Sequence, residues 1–255
     1  MTAPNRIVGV IPARLASTRL PRKVLREIAG EPLLAWVYRA AKACPQFDEV
    51  VIAVDSPEVE SLCHQRHWPC VMTSPDLPSG TDRLYAVSRS LDAGIYVNIQ
   101  GDEPLLRPEH IAAILAPFAM PHVEVSTLKI PCRAEDIANP NVVKVVTASD
   151  GRALYFSRST IPYDRDATGH AQIWKHLGLY AYRKAALERF AALAPGELEQ
   201  TERLEQLRLL ENGLALYVAE APHDTIGVDT EEDLRRVAAI LQRVSSKLDP
   251  LTTQN

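Results

Sequence analysis

The spacing of hydrophobic residues predicts alternating strands and helices in the first half of the chain. Four short apolar runs have the length and β-branched content of buried strands, at residues 7–11, 50–54, 69–72 and 95–99. Helical patterns lie between them, at residues 33–44, from Ser56 onward and at 81–91, and Pro108 begins another helix. Repeated strand–helix–strand units predict a largely parallel sheet with helices on both faces.

The middle of the chain has a different pattern. Its strand-like segments alternate apolar and polar residues as antiparallel or mixed strands do, at residues 123–131, 142–147, 153–157 and 177–182. We therefore expect an inserted β-rich region at about 123–200.

The last part of the chain returns to helices. Predicted helices cover residues 184–193 and 202–212, and a strand covers 216–219. Thr230 and Asp233 have the spacing of a capping box, which predicts the start of a final helix. The expected fold class is thus α/β with a mixed, mostly parallel sheet, in one domain over residues 1–246. A polar tail at 247–255 is expected to be disordered.

The overall charge limits the possible partners. The chain has 255 residues, with 28 Lys and Arg against 32 Asp and Glu, for a net charge of −4. This acidic balance argues against nucleic acid or an anionic membrane as the main partner. The apolar runs are shorter than the ~18 residues of a membrane helix, and the first strand begins too early for a signal peptide. We expect a cytoplasmic protein that does not bind membranes.

A basic loop follows the first strand. Six basic residues precede the first acid, Glu27: Arg6, Arg14, Arg19, Arg22, Lys23 and Arg26. Several arginines in one loop are typical of a site for phosphates or a carboxylate. The loop also carries Ser17 and Thr18, and two prolines stiffen it. The alternative is a set of ordinary solvated charges.

Polar segments follow three of the predicted parallel strands, at residues 12–23, 74–83 and 100–104. Ligands of such sheets bind at the carboxyl ends of strands, so we expect the three segments to meet in one crevice. Asp102, after Gly101, suits a hard divalent cation that is shared with substrate phosphates. Asp229 is a second candidate. The alternatives are a turn-forming aspartate at 102 and a helix-dipole partner at 229.

Other candidate residues have equally plausible structural explanations. The amides around Gly80 could bind a base or phosphate, or Ser79 or Thr81 could simply cap a helix. A lone histidine beside a strand, as at His176, is more often structural than catalytic. The polar pair Glu205 and Gln206 falls inside the predicted helix 202–212, where a solvated face is the ordinary explanation.

Taken together, eight segments resemble the 3-deoxy-manno-octulosonate cytidylyltransferase family. They are ARLASTRLPRK at 13–23, SGTDR at 79–83, NIQGDEP at 98–104, NPNVVKVV at 139–146, LYFSRSTIPYDRD at 154–166, KHLGLYAYR at 175–183, LEQLRLL at 204–210 and GVDTEEDL at 227–234. The resemblance implies the nucleotide-diphospho-sugar transferase fold with an inserted dimerisation region. It also implies that CTP and the acidic sugar 3-deoxy-manno-octulosonate (Kdo) give CMP-Kdo and pyrophosphate with Mg²⁺. The expected enzyme is a cytoplasmic homodimer that serves lipopolysaccharide synthesis.

The resemblance also assigns residues to roles. The nucleotide-binding set is Ala13, Arg14, Arg19, Lys23, Ser79, Gly80, Gln100 and Asp102. The sugar-binding set is Gln100, Arg158, His176, Tyr180, Glu205 and Gln206, with Arg158 suited to the sugar carboxylate. The catalytic set is Arg19, Lys23, Asp102 and Asp229, and the metal ligands are Asp102 and Asp229.

One residue departs from the family pattern, and several functions stay open. Arg22 stands where the family usually has glycine, and it forfeits the ease with which glycine adopts positive φ. Cytidylyltransferases for 8-amino-Kdo or sialic acid-like sugars are the nearest alternatives. Sugar-1-phosphate nucleotidyltransferases differ because they carry a glycine-rich loop, whereas here no glycine lies between Pro12 and Lys23. A catalytically silent nucleotide-binding protein is disfavoured by Lys23, Asp102 and Asp229 occurring together.

Overall fold

The computed structural model describes residues 5–17 and 19–248, with side chains as far as Arg243. Its strands are β1 (Ile7–Ala13), β2 (Glu27–Ile28), β3 (Glu31–Pro32), β4 (Glu49–Val54), β5 (Cys70–Met72), β6 (Ile95–Asn98), β7 (Val125–Pro131), β8 (Lys144–Thr147), β9 (Ala153–Ser157), β10 (Trp174–Arg183) and β11 (Leu216–Glu220). Its α-helices are α1 (Leu33–Lys42), α2 (Pro57–Gln65), α3 (Gly80–Ser88), α4 (Pro108–Leu115), α5 (Lys184–Ala192), α6 (Glu197–Glu202), α7 (Leu207–Glu211) and α8 (Glu231–Leu248).

A mixed β-sheet organises the described part of the chain, in the order β11-β7-β10-β6-β1-β4-β5. Strand β1 pairs in parallel with both β4 and β6, and β5 continues the parallel half beside β4. Strand β10 is antiparallel to β6 and β7, and β11 is again parallel to β7. Along this path β10 is antiparallel to both of its neighbours, and all other adjacent strands are parallel. The predicted mixed, mostly parallel sheet is therefore confirmed.

The core lies on both faces of the sheet because alternate residues of each strand point to opposite sides. Ile11 of β1 packs into one cluster with residues of α1, α2 and α4. Val8 and Val10 pack into the other cluster with residues of α3, α5 and α7. A third, smaller cluster joins α8 to the β2–β3 ribbon and to Leu20 of the basic loop. The loop is thus anchored by an apolar residue between its basic side chains.

Helix starts near the sheet edge use local hydrogen bonds that the sequence predicted. Ser56 accepts the N–H of Val59 at the start of α2. At α8, Thr230 Oγ1 accepts the N–H of Asp233 at 3.2 Å, and Asp233 Oδ2 accepts the N–H of Thr230 at 2.9 Å. This reciprocal pair is the predicted capping box, which satisfies donors that a helix leaves free at its N-terminus.

The predicted continuous helix at 202–212 is wrong. Helix α6 ends at Glu202, the next residue, Arg203, has a φ of 55° in the left-handed region, and α7 begins only at Leu207. Arg158 holds the break, since its guanidinium donates to the carbonyl oxygens of Glu202 at 2.7 Å and Arg203 at 3.3 Å. Leu204 and Leu207 are still buried in the core. A turn between α6 and α7 therefore buries the apolar residues whose spacing suggested one helix.

The β-rich middle of the chain extends the sheet. Strands β8 and β9 form an antiparallel pair, and β8 also pairs with the first residues of β10. A role of this region in dimerisation stays a prediction.

The ends of the chain are only partly described. Helix α8 includes Lys247 and Leu248, the first two residues of the predicted tail, and residues 249–255 lie outside the described residues, as do Thr18 and residues 1–4. Within the described ranges, no helix is both long and apolar enough to cross a membrane.

Candidate active site

Three loops and the start of α8 meet at a cavity of about 350 Å³ at the edge of the sheet. The basic loop, Gly80 at the start of α3, and the segment after β6 supply most of its wall. The predicted residues that line it are Arg14, Arg19, Lys23, Gly80, Gln100, Asp102 and Asp229. The expected meeting of strand-end segments in one crevice is therefore confirmed.

A glycine permits the close packing of two of these loops. A Cβ atom at Gly101 would lie 2.5 Å from the carbonyl oxygen of Pro12, which is closer than real Cβ contacts allow. Only glycine can bring the segment after β6 this near to the end of β1. Asp102 is thereby placed opposite the basic loop.

Lys23 lies between the two aspartates. Its Nζ is 2.5 Å from Asp102 Oδ2 and 3.0 Å from Asp229 Oδ1. The more exposed Arg19 also pairs with Asp229, with its Nη2 3.0 Å from Asp229 Oδ2. The four side chains form a charge cluster in which two cations neutralise two carboxylates.

The surroundings of Lys23 keep it charged. Its side chain is only 15% exposed. Burial alone would lower the pKa of Lys23, but the charges of Asp102 and Asp229 and the hydrogen bonds to them outweigh burial and raise the pKa. An ammonium that is largely shielded from solvent, charged and flanked by carboxylates fits a site for phosphate groups.

Backbone contacts place Asp229 beside Asp102. The N–H of Val228 donates to the carbonyl oxygen of Asp102 at 2.9 Å. Asp233 accepts the N–H groups of Asp229 and Thr230, so it supplies the cap of α8. The carboxylate of Asp229 is left to meet Lys23 and Arg19, and the alternative of a mere dipole partner does not describe its contacts.

The remaining basic residues of the N-terminal segment have other partners. Arg6 pairs with Glu49 and Arg26 with Glu231. Arg22 adopts φ 56° and ψ 34°, and it pairs with Glu58. Position 22 therefore requires the left-handed conformation that glycine adopts easily, although arginine occupies it here.

The other residues predicted to bind nucleotide lie around the same crevice. Ala13 is buried at the end of β1. Arg14 is exposed, and its Nη1 donates to the carbonyl oxygen of Pro78 at 3.2 Å. Ser79 caps α3 by accepting the N–H of Asp82 at 3.1 Å. Their contact with nucleotide stays a prediction.

Two of the residues predicted to bind sugar lie on β10. His176 Nε2 is 2.9 Å from Thr127 Oγ1, and its ring packs against that of Tyr180 with centroids 5.5 Å apart. Burial lowers the pKa of His176 to about 3, so its imidazole is neutral at physiological pH. Gln100 connects this strand to the cavity, because its Nε2 donates to the carbonyl oxygen of Gly178 at 2.9 Å.

Glu205 and Gln206 lie in the break between α6 and α7 rather than on a solvated helix face. Glu205 accepts a hydrogen bond from Thr81, beside Gly80 of the cavity wall. Burial raises the pKa of Glu205. Gln206 is 5% exposed, and its Nε2 has no hydrogen-bond partner within the described ranges. A buried amide without a partner is typical of a group that meets a ligand or a water.

Arg158 is tied to backbone carbonyls. Besides its bonds to residues 202 and 203, its Nη1 donates to the carbonyl oxygen of Pro140 at 3.0 Å. The structure thus shows it bracing the α6–α7 break, and contact with a sugar carboxylate stays a prediction.

Sequence reasoning missed an ion pair beneath the basic loop. Arg83 and Asp55 are both buried, and Asp55 also accepts the N–H of Leu15 in the loop. A hint was present in the sequence, since Asp55 ends a strand and Arg83 closes the SGTDR motif.

Comparison with known proteins gives consistent results. The family model described as Cytidylyltransferase matches residues 8–220. A 3-deoxy-manno-octulosonate cytidylyltransferase of Acidobacterium capsulatum is 66% identical over 235 residues, covering 92% of this chain and 96% of the relative. The enzyme of the same name from Koribacter versatilis is 56% identical, covering 94% of this chain and 92% of that relative.

Solved structures agree with the sequence relatives. A CMP:2-keto-3-deoxy-manno-octonic acid synthetase complexed with CTP superimposes with a TM-score of 0.90 at 41% identity, covering 94% of this chain and 99% of the other. A 4-diphosphocytidyl-2C-methyl-D-erythritol synthase from Anaerococcus prevotii, at 14% identity and a TM-score of 0.62, shares the fold; it covers 93% of this chain and 99% of its own. The chain is a nucleotidyltransferase and belongs to the 3-deoxy-manno-octulosonate cytidylyltransferase family.

Proposed function

We propose that this protein transfers the cytidylyl group of CTP to Kdo, giving CMP-Kdo and pyrophosphate. The observation that carries the proposal is the Lys23 ammonium held between Asp102 and Asp229 at the mouth of the cavity. Such an arrangement combines cations for a polyanionic substrate with carboxylates for a metal. The high identity to enzymes of this name supports CTP and Kdo as the substrates.

The basic loop would hold the triphosphate. Arg14, Arg19 and Lys23 line the cavity. An arginine fork can donate two parallel hydrogen bonds to phosphate oxygens, and a lysine provides a mobile point charge. When the oxygen of the anomeric hydroxyl attacks the α-phosphorus, a new P–O bond forms, the hydroxyl proton passes to solvent, and the bond from the α-phosphorus to the bridging oxygen breaks, with its electron pair leaving on pyrophosphate. Cations near those oxygens stabilise the charge that develops there.

The acidic side of the cavity fits a divalent cation. Asp102 and Asp229 already share one cation, Lys23, and their carboxylate oxygens are hard ligands of the kind that Mg²⁺ prefers together with substrate phosphates. Bound there, Mg²⁺ would supply charge neutralisation at the reacting phosphate and align the two reactants. Lys23 and Arg19 would then be free to meet the phosphates.

The sugar is proposed to lie on the side of Gln100 and β10. Glu205 and the unpartnered amide of Gln206 offer polar contacts for hydroxyl groups next to Gly80 and Thr81. His176 and Tyr180 would contribute a wall of rings. Arg158 would either bind the sugar carboxylate or hold the backbone that carries Glu205.

The cellular setting is part of the same proposal. The enzyme would work in the cytoplasm as a homodimer. Leu154 and Tyr163 in the β-rich region are 60% and 84% exposed, and a second copy of the chain could bury these two large apolar residues. Analytical ultracentrifugation of the protein and of Leu154→Asp tests this expectation.

Pyrophosphate release tests the function. The protein is mixed with each of four nucleoside triphosphates and with Kdo, 8-amino-Kdo or a sialic acid, in the presence of Mg²⁺. Release with CTP and Kdo alone is the expected result. Release with 8-amino-Kdo at a higher kcat/KM would assign the enzyme to that sugar instead, and CTP binding without release in any mixture would point to a silent nucleotide-binding protein.

A further inference from the structure

A buried ion pair lies beneath the basic loop without any role in the proposed chemistry. The side chains of Arg83 and Asp55 are 0% and 6% exposed, and Arg83 Nη2 is 3.1 Å from Asp55 Oδ2. Removing two charges from water is costly, so such a pair is weak evidence for stability by itself. The other hydrogen bonds of Asp55 and Arg83 indicate the role of the pair.

The carboxylate of Asp55 holds the basic loop from below. Its second oxygen, Oδ1, accepts the backbone N–H of Leu15 at 2.9 Å. Leu15 directly follows Arg14, and the next two residues, Ala16 and Ser17, line the cavity. The path of the loop is therefore tied to the end of β4.

The guanidinium of Arg83 holds a second segment of the cavity wall. Its Nη1 donates to Thr73 Oγ1 at 2.7 Å and to the carbonyl oxygen of Ser74 at 3.1 Å. This segment leads to Gly80 at the cavity, and Arg14 binds it directly through Pro78. One buried ion pair thus connects two neighbouring segments of the cavity wall.

We propose that Asp55, held by Arg83, is a positioning residue that sets the backbone of residues 14–17 and so aims Arg14 at the substrate phosphates. The assignment rests on the proposed function for the identity of the substrate, CTP. A loop that is ordered before binding loses less conformational entropy when the nucleotide arrives. An unanchored loop would bind the same phosphates more weakly.

The first test is the isosteric change Asp55→Asn. It retains the shape of the side chain, but the single oxygen of asparagine cannot accept from both Leu15 and Arg83 as the two oxygens of Asp55 do. We expect KM and Kd for CTP to rise about ten-fold, the equivalent of one lost interaction, while kcat changes less than about three-fold. Such a split indicates loss of binding that the ground state and the transition state share.

A double variant separates positioning from stability. Asp55→Leu/Arg83→Leu replaces both charges by apolar groups, which often restores stability, but it leaves the N–H of Leu15 without its acceptor. We expect its Tm to return towards that of the native protein, its Kd for CTP to stay about ten-fold weaker, and the Leu15 amide to exchange with solvent at least ten-fold faster than the native amide. A double variant that binds CTP as tightly as the native protein would overturn the proposal.

A second buried ion pair provides the matched control. Arg208 Nη2 lies 2.6 Å from Glu199 Oε1, with side chains 7% and 13% exposed. Glu199→Gln should lower the Tm by an amount comparable to Asp55→Asn, on the order of 10 °C, and should leave the Kd for CTP within about two-fold. An equal loss of CTP affinity in Glu199→Gln would refute a positioning role.

The amide exchange measurement also distinguishes this proposal from the proposed function. If the native protein bound no CTP, the function would be wrong, but the exchange of Leu15 in the nucleotide-free protein would still decide whether Asp55 orders the loop. Slow Leu15 exchange in Asp55→Leu/Arg83→Leu would refute that ordering whatever the substrate is.

Discussion

Lys23 Nζ donates to Asp102 Oδ2 at 2.5 Å, although the two residues are 79 positions apart in the sequence. The same ammonium reaches Asp229, so it lies where a cation shared by both carboxylates would lie. A positive side chain and a metal ion compete for such a place, because each neutralises the same two charges. Substitution of Lys23 therefore tests whether the metal binds before or after the nucleotide.

Lys23→Met should make the nucleotide-free protein bind a divalent cation more tightly. With the ammonium gone, Asp102 loses its cation and Asp229 keeps only its pair with the exposed Arg19, so the two carboxylates attract a metal more strongly, and we expect the Kd for Mn²⁺ to fall about ten-fold. Electron paramagnetic resonance of free Mn²⁺ measures this. Lys184→Met, which removes the exposed partner of Asp92, is the control and should leave Mn²⁺ binding unchanged.

The same position should matter for catalysis. Lys23→Ala is expected to lower kcat/KM for CTP by ~10²-fold or more, as the loss of charge stabilisation in a transition state usually does. A loss of thermal stability with unchanged kcat/KM would contradict this expectation. Steady-state pyrophosphate release and a melting curve separate the two results.

Asp102→Asn should abolish pyrophosphate release and leave the fold intact. The amide fills the same space, and the backbone bond from Val228 to the carbonyl oxygen of residue 102 does not depend on the side chain. Circular dichroism and CTP binding check the fold. Full activity of this variant with Mg²⁺ would rule out the proposed metal role.

Arg22 offers a test of backbone strain. Since its φ is 56°, Arg22→Gly should be more stable than Arg22→Ala by about 1 kcal/mol, because glycine has no Cβ to crowd the left-handed conformation. Arg22→Val should be less stable than Arg22→Ala by about 1 kcal/mol or more, since a β-branched residue fits this region poorly. The glycine, alanine and valine variants all lack the exposed pair with Glu58, so that pair does not affect the differences in the free energy of unfolding between them.

His176 should make stability depend on pH. Its pKa is about 3 in the folded protein, below the value near 6.5 of an exposed histidine. The unfolded state therefore takes up a proton first, so the stabilisation is complete above pH ~6.5 and is lost as the pH falls towards 3. Between pH 7.5 and 5.5 the native protein should lose about 1.4 kcal/mol more than His176→Gln.

Urea unfolding at the two pH values gives the difference. His170→Gln, at an exposed position, is the control and should lose as much stability as the native protein. An equal loss in His176→Gln and the native protein would show that His176 is accessible to protons in the folded state.

The sequence by itself determined the type and order of most elements and the place of the site. Strand and helix periods depend on local spacing, so β1, β4, β6 and α3 were predicted close to their observed bounds. Strands that run in parallel end at the same edge, which is why the segments after Ile11, Thr73 and Ile99 could be expected to meet. The cap of α8 is a contact across three residues, and it too was predictable.

Tertiary structure decided what depends on distant residues. The break after Glu202 depends on Arg158, which binds the carbonyl oxygens of Glu202 and Arg203. A local sequence pattern cannot predict a partner 45 positions away. The burial of Gln206 follows from that break. Of the six basic residues at the N-terminus, Lys23 is the one placed between two carboxylates, because Asp102 and Asp229 come from remote loops that Val228 joins. Long-range ion pairs and loop contacts therefore decide which of several similar basic residues lies in the site, and the sequence alone cannot distinguish them.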